Sequence, residues 1–157
     1  MIFDNGLIKL QKNNSMKKIF LFAAVISIVA FACAFQINEP WTEKQLISPA
    51  ELSKIINDST AKKPLLYAIG FSGGIKGSVE TGPVKEKENL DKFKSALEKL
   101  LKDANIVVYC GCCPFKNCPN VRPAVKLLND MKFTNAKLLN LASNLKVDWI
   151  EKGYPME

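Results

Sequence analysis

Four of the five cysteines in this chain, Cys110, Cys112, Cys113 and Cys118, lie within residues 109–122. Thiols grouped this tightly support three kinds of chemistry. One thiolate can act as a nucleophile with its neighbours as resolving thiols. Two can close a disulfide, Cys113 with Cys118 for example, although four cysteines allow three complete pairings and spacing does not choose among them. Four together can hold zinc or an iron–sulfur cluster. The C-x-C-C-x4-C spacing is no standard zinc pattern, and four ligands on so short a loop are cramped. No metal and no other cofactor is therefore expected.

Position singles out Cys110. The apolar run Ile106, Val107, Val108, Tyr109 leads into the cluster, and Val121, Ala124, Val125 and Leu128, at helical spacing, lead out of it. Cys110 thus stands where a buried strand should stop, on a loop that runs straight into a helix. The N–H groups of Gly111 and Cys112 and the positive end of the helix dipole converge there, which favours a thiolate or a bound anion. Arg122, the only arginine in the chain, stands at the start of that helix. It is expected to join Gly111 and Cys112 in binding an anionic substrate; the alternative is a surface residue paired with a nearby carboxylate.

Composition narrows the chemistry further. The chain has no histidine, which removes Ser–His and Cys–His catalysis and most zinc-enzyme sites. Its formal net charge of +7 is divided between Lys9, Lys12, Lys17 and Lys18 and a downstream set of lysines that alternate with acidic residues. Neither a basic stripe nor an interleaved aromatic set is present, so no nucleic-acid partner is expected.

The segment that begins Met16-Lys17-Lys18 continues as an apolar run through Ala34. A basic flank, an apolar centre and small residues at the end read as a secretory signal, and the run is short against the about 20 apolar residues of a membrane span. Residues 1–34 are therefore expected to be a preface and signal, with Met16 as an alternative start. Cleavage after Ala34 releases the domain; cleavage before Cys33 makes a lipoprotein. Either route exports residues 35–157 to the periplasm or cell envelope, where disulfides can form. Membrane association follows only if the signal is retained or Cys33 is lipidated.

The elements that must position Cys110 follow from periodicity and punctuation. Gln45-Leu46-Ile47 reads as a short strand. Ser48-Pro49-Ala50-Glu51 opens a helix, with Ser48 as N-cap, proline in the first turn and Glu51 closing a capping box, and that helix ends near Asp58. Residues 65–69 form a continuous apolar run of the kind buried on both faces of a parallel sheet. Residues 70–83, rich in glycine, read as a loop. An amphipathic helix is predicted over 89–103 on Leu90, Phe93, Leu97, Leu100 and Leu101, a second buried strand over 105–109, and a helix over about 120–131. Residues 136–141 give a third strand. A last helix over 144–152 carries Leu145, Trp149 and Ile150, stopped at Gly153-Tyr154-Pro155. Alternation of strand and helix predicts an α/β fold with a mostly parallel sheet, whose ligands bind at the carboxyl ends of its strands.

Over residues 46–157 the chain resembles the rhodanese-like family. The resemblance is carried by Ile47-Ser48-Pro49-Ala50-Glu51-Leu52, by Ile75-Lys76-Gly77-Ser78 at the position of the family's "IPGA" turn, by Ile106-Val107-Val108-Tyr109-Cys110, and by Asp148-Trp149 followed by Gly153-Tyr154-Pro155. It implies a rhodanese-like open, mostly parallel sheet with helices on both faces, in one domain. It also implies transfer of sulfane sulfur through a persulfide on Cys110, from a small donor such as thiosulfate to a thiol or cyanide-like acceptor. Cys113 is the second candidate, because 113–118 has the length of the family's usual loop, although Pro114 removes a backbone donor from it. Departures from the family pattern are the longer loop with Pro114 and Pro119, Gly74 where a histidine is usual, and Tyr67-Ala68-Ile69-Gly70 without the acidic and arginine residues that often follow. Two other readings remain open: a thiol–disulfide redox protein, and a catalytically inactive binding module on the same scaffold.

Overall fold

The apolar runs pair side by side in the middle of one sheet. The computed structural model describes residues 39–71 and 73–157; the expected signal, Met16, Cys33 and the boundary after Ala34 lie outside them. The strands are β1 (Leu46–Ile47), β2 (Leu65–Ala68), β3 (Ser78–Glu80), β4 (Ile106–Tyr109) and β5 (Ala136–Leu139). All their pairings are parallel, in the order β1-β5-β4-β2-β3. The helices are α1 (Pro49–Asn57), α2 (Lys87–Leu97), α3 (Val121–Asp130) and α4 (Leu145–Asp148). Among the described residues, no helix is long and apolar enough to cross a membrane.

The two-residue period of a strand sends alternate side chains to opposite faces, and two separate cores result. Tyr67, Ile69, Ile106 and Val108 face one side, where α2 supplies Phe93 and Leu97 and α3 supplies Val121, Ala124, Val125 and Leu128. Leu66, Ala68, Val107 and Tyr109 face the other, against Leu52 of α1, Leu145 of α4 and Trp149. Helices therefore cover both faces, as a parallel sheet requires. Each large side chain buried this way contributes about 1.5–3 kcal/mol. The same alternation assigns Cys110: it continues the Ile106, Val108 series and falls on the α2–α3 side.

Local signals act largely where they were expected. Ser48 is the N-cap of α1, its Oγ accepting the Glu51 N–H at 3.2 Å, with Pro49 in the first turn; Glu51 makes no return bond to the Ser48 N–H, so the expected capping box is only half formed. Gly153 adopts φ 70° and closes the last turn, a conformation that glycine takes without steric cost. Three expectations need correction. The 70–83 segment is not all loop, because Ser78–Glu80 forms the edge strand β3. Val79 is exposed and the strand pairs only with β2, so no apolar pattern marks it. Helix α2 ends at Leu97 rather than 103, since the chain turns tightly through Leu100 N–H to Leu97 O (3.1 Å) and Ala104 N–H to Leu101 O (3.0 Å) to enter β4, leaving Leu101 78% exposed. The last helix breaks at Trp149 into α4 and a 3₁₀ turn at Ile150–Lys152, and Ile150 faces solvent.

Tyr109, at the end of β4, fixes the glycine-rich segment beneath the sheet edge. Its hydroxyl accepts the N–H of fully buried Ile75 at 3.0 Å and lies 2.9 Å from Ser78 Oγ. Tyr109→Phe leaves that N–H unpaired. A loss of about 1–3 kcal/mol is expected in urea unfolding, and unchanged stability would show that the Tyr109–Ile75 bond does not hold the segment.

Candidate active site

Strand order decides where a ligand can enter. Neighbours β2 and β4 send their chains opposite ways: β2 turns towards β3 through a segment whose Ile75 packs in the α1–α4 core, whereas β4 leads into α3 on the other face. Such a reversal leaves a crevice beyond the carboxyl ends of the two strands. Cys110 is the first residue after β4, and Gly70 lies just past β2. The pairing continues to this level, with Ile69 N–H donating to Tyr109 O at 2.9 Å. A Cβ placed on Gly70 would sit 2.5 Å from Cys110 Sγ. Only a residue without a side chain leaves the sulfur its place.

Cys110 is 2% exposed, yet polar groups surround its sulfur. Cys112 Sγ lies at 3.4 Å and Asn120 Nδ2 donates at 3.5 Å. The sulfurs of Cys110, Cys112 and Cys118 all lie within 4.8 Å of one another. Cys113 Sγ is 3.3 Å from Cys112 Sγ, carrying the sulfur contacts outward through exposed Cys112. These distances exceed a disulfide bond, about 2.05 Å, and all four are free thiols.

The bonds decide which thiol ionises. The Cys118 thiol donates to Cys110, and with the Asn120 amide, the Cys112 backbone N–H and the Cys112 thiol it outweighs burial and holds Cys110 down to about 5. Cys118 is pushed up, first by donating to Cys110 and then by burial. Burial, then bonds to Cys113 and Cys110, push Cys112 up to about 12. Among Cys110, Cys112 and Cys118 the surroundings therefore favour the negative charge on Cys110 and the protons on the other two. The strand–loop–helix reading expects backbone N–H groups and the helix dipole here; among the donors only the Cys112 N–H is of that kind, and the Cys118 thiol and the Asn120 side chain supply the rest.

Asn120 performs this role at the expense of a local one. Asparagine is among the best N-cap residues, but here the side chain makes no cap bond to α3. Its Nδ2 turns to the sulfur and its Oδ1 accepts the Lys85 N–H at 3.0 Å, with the residue 5% exposed. Gly70 and Asn120 are the two site residues that sequence reasoning missed. An asparagine ahead of a helix reads as an ordinary cap, and a glycine after a strand reads as a turn.

The other expected residues are tied to the scaffold. Gly111 is buried and its carbonyl accepts the Leu145 N–H at 2.9 Å, joining the loop to α4. Phe115 N–H donates to Leu141 O at 3.0 Å. Arg122 pairs with Glu39 at 2.6 Å, donates to the Lys116 carbonyl at 2.9 Å and lies 5.6 Å from the Trp41 ring. These contacts fasten the loop to residues 39–41 and match the carboxylate-paired alternative for Arg122. Leu46, Pro114, Phe115, Asn117 and Asn140 line a cleft of about 490 Å³ that includes none of the four cysteines.

No family model matches the chain, and no curated protein matches it significantly.

Proposed function

We propose that this chain is an exported rhodanese-like sulfurtransferase in which Cys110 carries sulfane sulfur as a persulfide. The observation that supports it most is the setting of one sulfur: Cys110 Sγ lies at the crevice between β2 and β4, against Gly70 and beside N–H and S–H donors that favour its thiolate. The parallel five-stranded sheet with covered faces is of the class that the rhodanese-like resemblance implies.

In the proposed cycle the Cys110 thiolate attacks the outer sulfur of a small donor such as thiosulfate. The donor's S–S bond breaks, sulfite leaves with the bonding pair, and a Cys110 persulfide remains. Its outer sulfur is also anionic, so the donors that hold the thiolate stabilise the product as well. A thiol or cyanide-like acceptor then takes the outer sulfur and restores the thiolate. Arg122 is neutralised by Glu39, so attraction of the anion falls to the N–H groups and the start of α3.

A second reading, a dithiol redox protein, draws on the 3.4 Å contact between Cys110 and exposed Cys112. Intact and peptide mass measurement after incubation with thiosulfate separates the two. Sulfur transfer is expected to add one sulfur atom to the peptide containing Cys110 and none to the Cys110→Ser protein. Loss of two hydrogens from a peptide joining Cys110 and Cys112, without added sulfur, is the outcome that overturns it in favour of redox chemistry.

A further inference from the structure

The cysteine spacing argues against a four-ligand metal site, but the fold assembles a three-ligand one. From the grouping of Cys110, Cys112 and Cys118 we infer that this loop binds one thiophilic monovalent cation, Cu(I), in a three-coordinate all-sulfur site. The inference is independent of the sulfur-transfer reading, because it needs only that the three sulfurs converge.

The geometry suits such an ion. A metal–thiolate distance of about 2.3 Å sets the sulfurs of a trigonal site about 4.0 Å apart. Cys110 and Cys112 are 3.4 Å apart, and all three sulfurs fall within 4.8 Å of one another. Small side-chain rotations reach the trigonal arrangement. The means of bringing Cys118 back is the 3₁₀ turn at Phe115–Asn117, with Cys118 N–H donating to Phe115 O at 3.3 Å. Cys110 and Cys118 are buried and Cys112 is exposed, so the set has a closed floor and one ligand at the surface where an ion can arrive.

The donor set selects the ion. Thiolates favour soft cations, and zinc in structural sites takes four ligands. The group contains no carboxylate, and the chain has no histidine to supply a nitrogen ligand. Cys113 approaches Cys112 but is not a member of the mutually close set. Three sulfurs without a fourth donor match Cu(I). The ligands bind as thiolates, so binding releases thiol protons. The Cys112 N–H and the Asn120 amide remain as donors to the Cys110 sulfur and offset part of the added charge.

The test uses the reduced full-length chain carrying Cys33→Ser, so that the fifth cysteine contributes nothing, under anaerobic conditions. Cu(I) is titrated against a chromophoric Cu(I) chelator, and the ultraviolet charge-transfer band of the copper–thiolate bond is followed. One equivalent is expected to be withheld from the chelator. Cys112→Ser, at an exposed position, is expected to weaken binding at least about 100-fold, more than the roughly 10-fold to 100-fold of losing an outer-shell partner. Cys113→Ser is expected to leave the affinity within about threefold, where a change of 1.4 kcal/mol would be tenfold. Thermal melting of each protein with and without Cu(I) gives a second readout, since a ligand that binds the folded state raises the midpoint. The inference is overturned if the parent withholds no copper, or if Cys112→Ser binds as tightly as the parent. It is equally overturned if Cys113→Ser abolishes binding, which marks a four-thiolate site, or if Zn(II) displaces the copper, which marks a divalent site completed by a fourth ligand such as water. Thiosulfate labelling of Cys110 in metal-free protein reports separately on sulfur transfer, so failure of one reading is distinguishable from failure of the other.

Discussion

Cyanolysis of thiosulfate by the Cys110→Ser protein is expected to fall about 1,000-fold or more, the scale of loss when a covalent nucleophile is removed. Serine nearly matches the thiol in size, so the fold should persist, as checked by circular dichroism. Its hydroxyl does not ionise near neutral pH, and no sulfur remains to accept the outer atom. The same variant isolates the charge. Followed by thiolate absorbance, the parent is expected to lose one thiolate as pH falls through about 5, and Cys110→Ser to lack that step. Sulfur transfer should follow the same titration, with little change in rate between there and neutrality. Cyanolysis equal to the parent's would remove Cys110 from its role, and a first titration near the ordinary thiol value of about 8.5 would show that the surrounding donors do not hold the anion.

The sign of the effect on stability follows from proton counting. Between about 5 and the ordinary thiol range, the unfolded chain keeps the Cys110 proton that the folded chain has released, so stability rises with pH. The contribution is complete above the unfolded value and is lost as pH falls through the folded one. Cys112 and Cys118 act oppositely. Folded, they keep their protons after the unfolded chain has released them, so stability falls again at alkaline pH.

What the residues disclose before folding, and what they withhold, divides along contact range. The placement of Cys110 needs only the four apolar residues before it and the helical spacing after it, both local. Their two-residue alternation also fixes the face on which its sulfur lies. The partners of that sulfur are set by strand order. Gly70 meets Cys110 because β2 pairs with β4, and Asn120 stays turned inward because Lys85, from the approach to α2, occupies its Oδ1. Neither contact has a sequence period. Arg122 and Glu39 are 83 residues apart, and nothing beside the arginine announces the carboxylate that claims it. The edge strand β3 escapes for a related reason: with one neighbour and an exposed Val79, it has no buried face to impose a pattern. The sulfur cluster itself is half legible. Spacing shows four thiols on one loop, while the turn at Phe115–Asn117 determines which three meet.

Gly70→Ala is expected to slow the chemistry about 100-fold, although it adds one methyl group. The backbone of Gly70 does not have positive φ, so alanine meets no conformational strain there. The conflict is contact alone. The new Cβ would lie 2.5 Å from Cys110 Sγ and 3.3 Å from Asn120 Nδ2. Neither atom can yield freely: the sulfur is buried against Cys112 and Cys118, and Asn120 is held by Lys85. The sulfur must rotate away from its donors, or the β2 end must move. A displacement of this size can cost about 100-fold in rate, and overpacking costs about 1–3 kcal/mol in stability. A shifted sulfur also loses hydrogen bonds that favour its anion, so the titration near 5 in the parent should move upward in the variant. That upward movement separates a local effect on the thiolate from a general loosening of the fold. Gly73→Ala is the control, since its added Cβ meets nothing closer than Met156 Cε at 4.0 Å, and both rate and titration should match the parent. If Gly70→Ala keeps the parent's rate and thiolate titration, the sulfur is not confined between the two strand ends, and the crevice is not where the chemistry takes place.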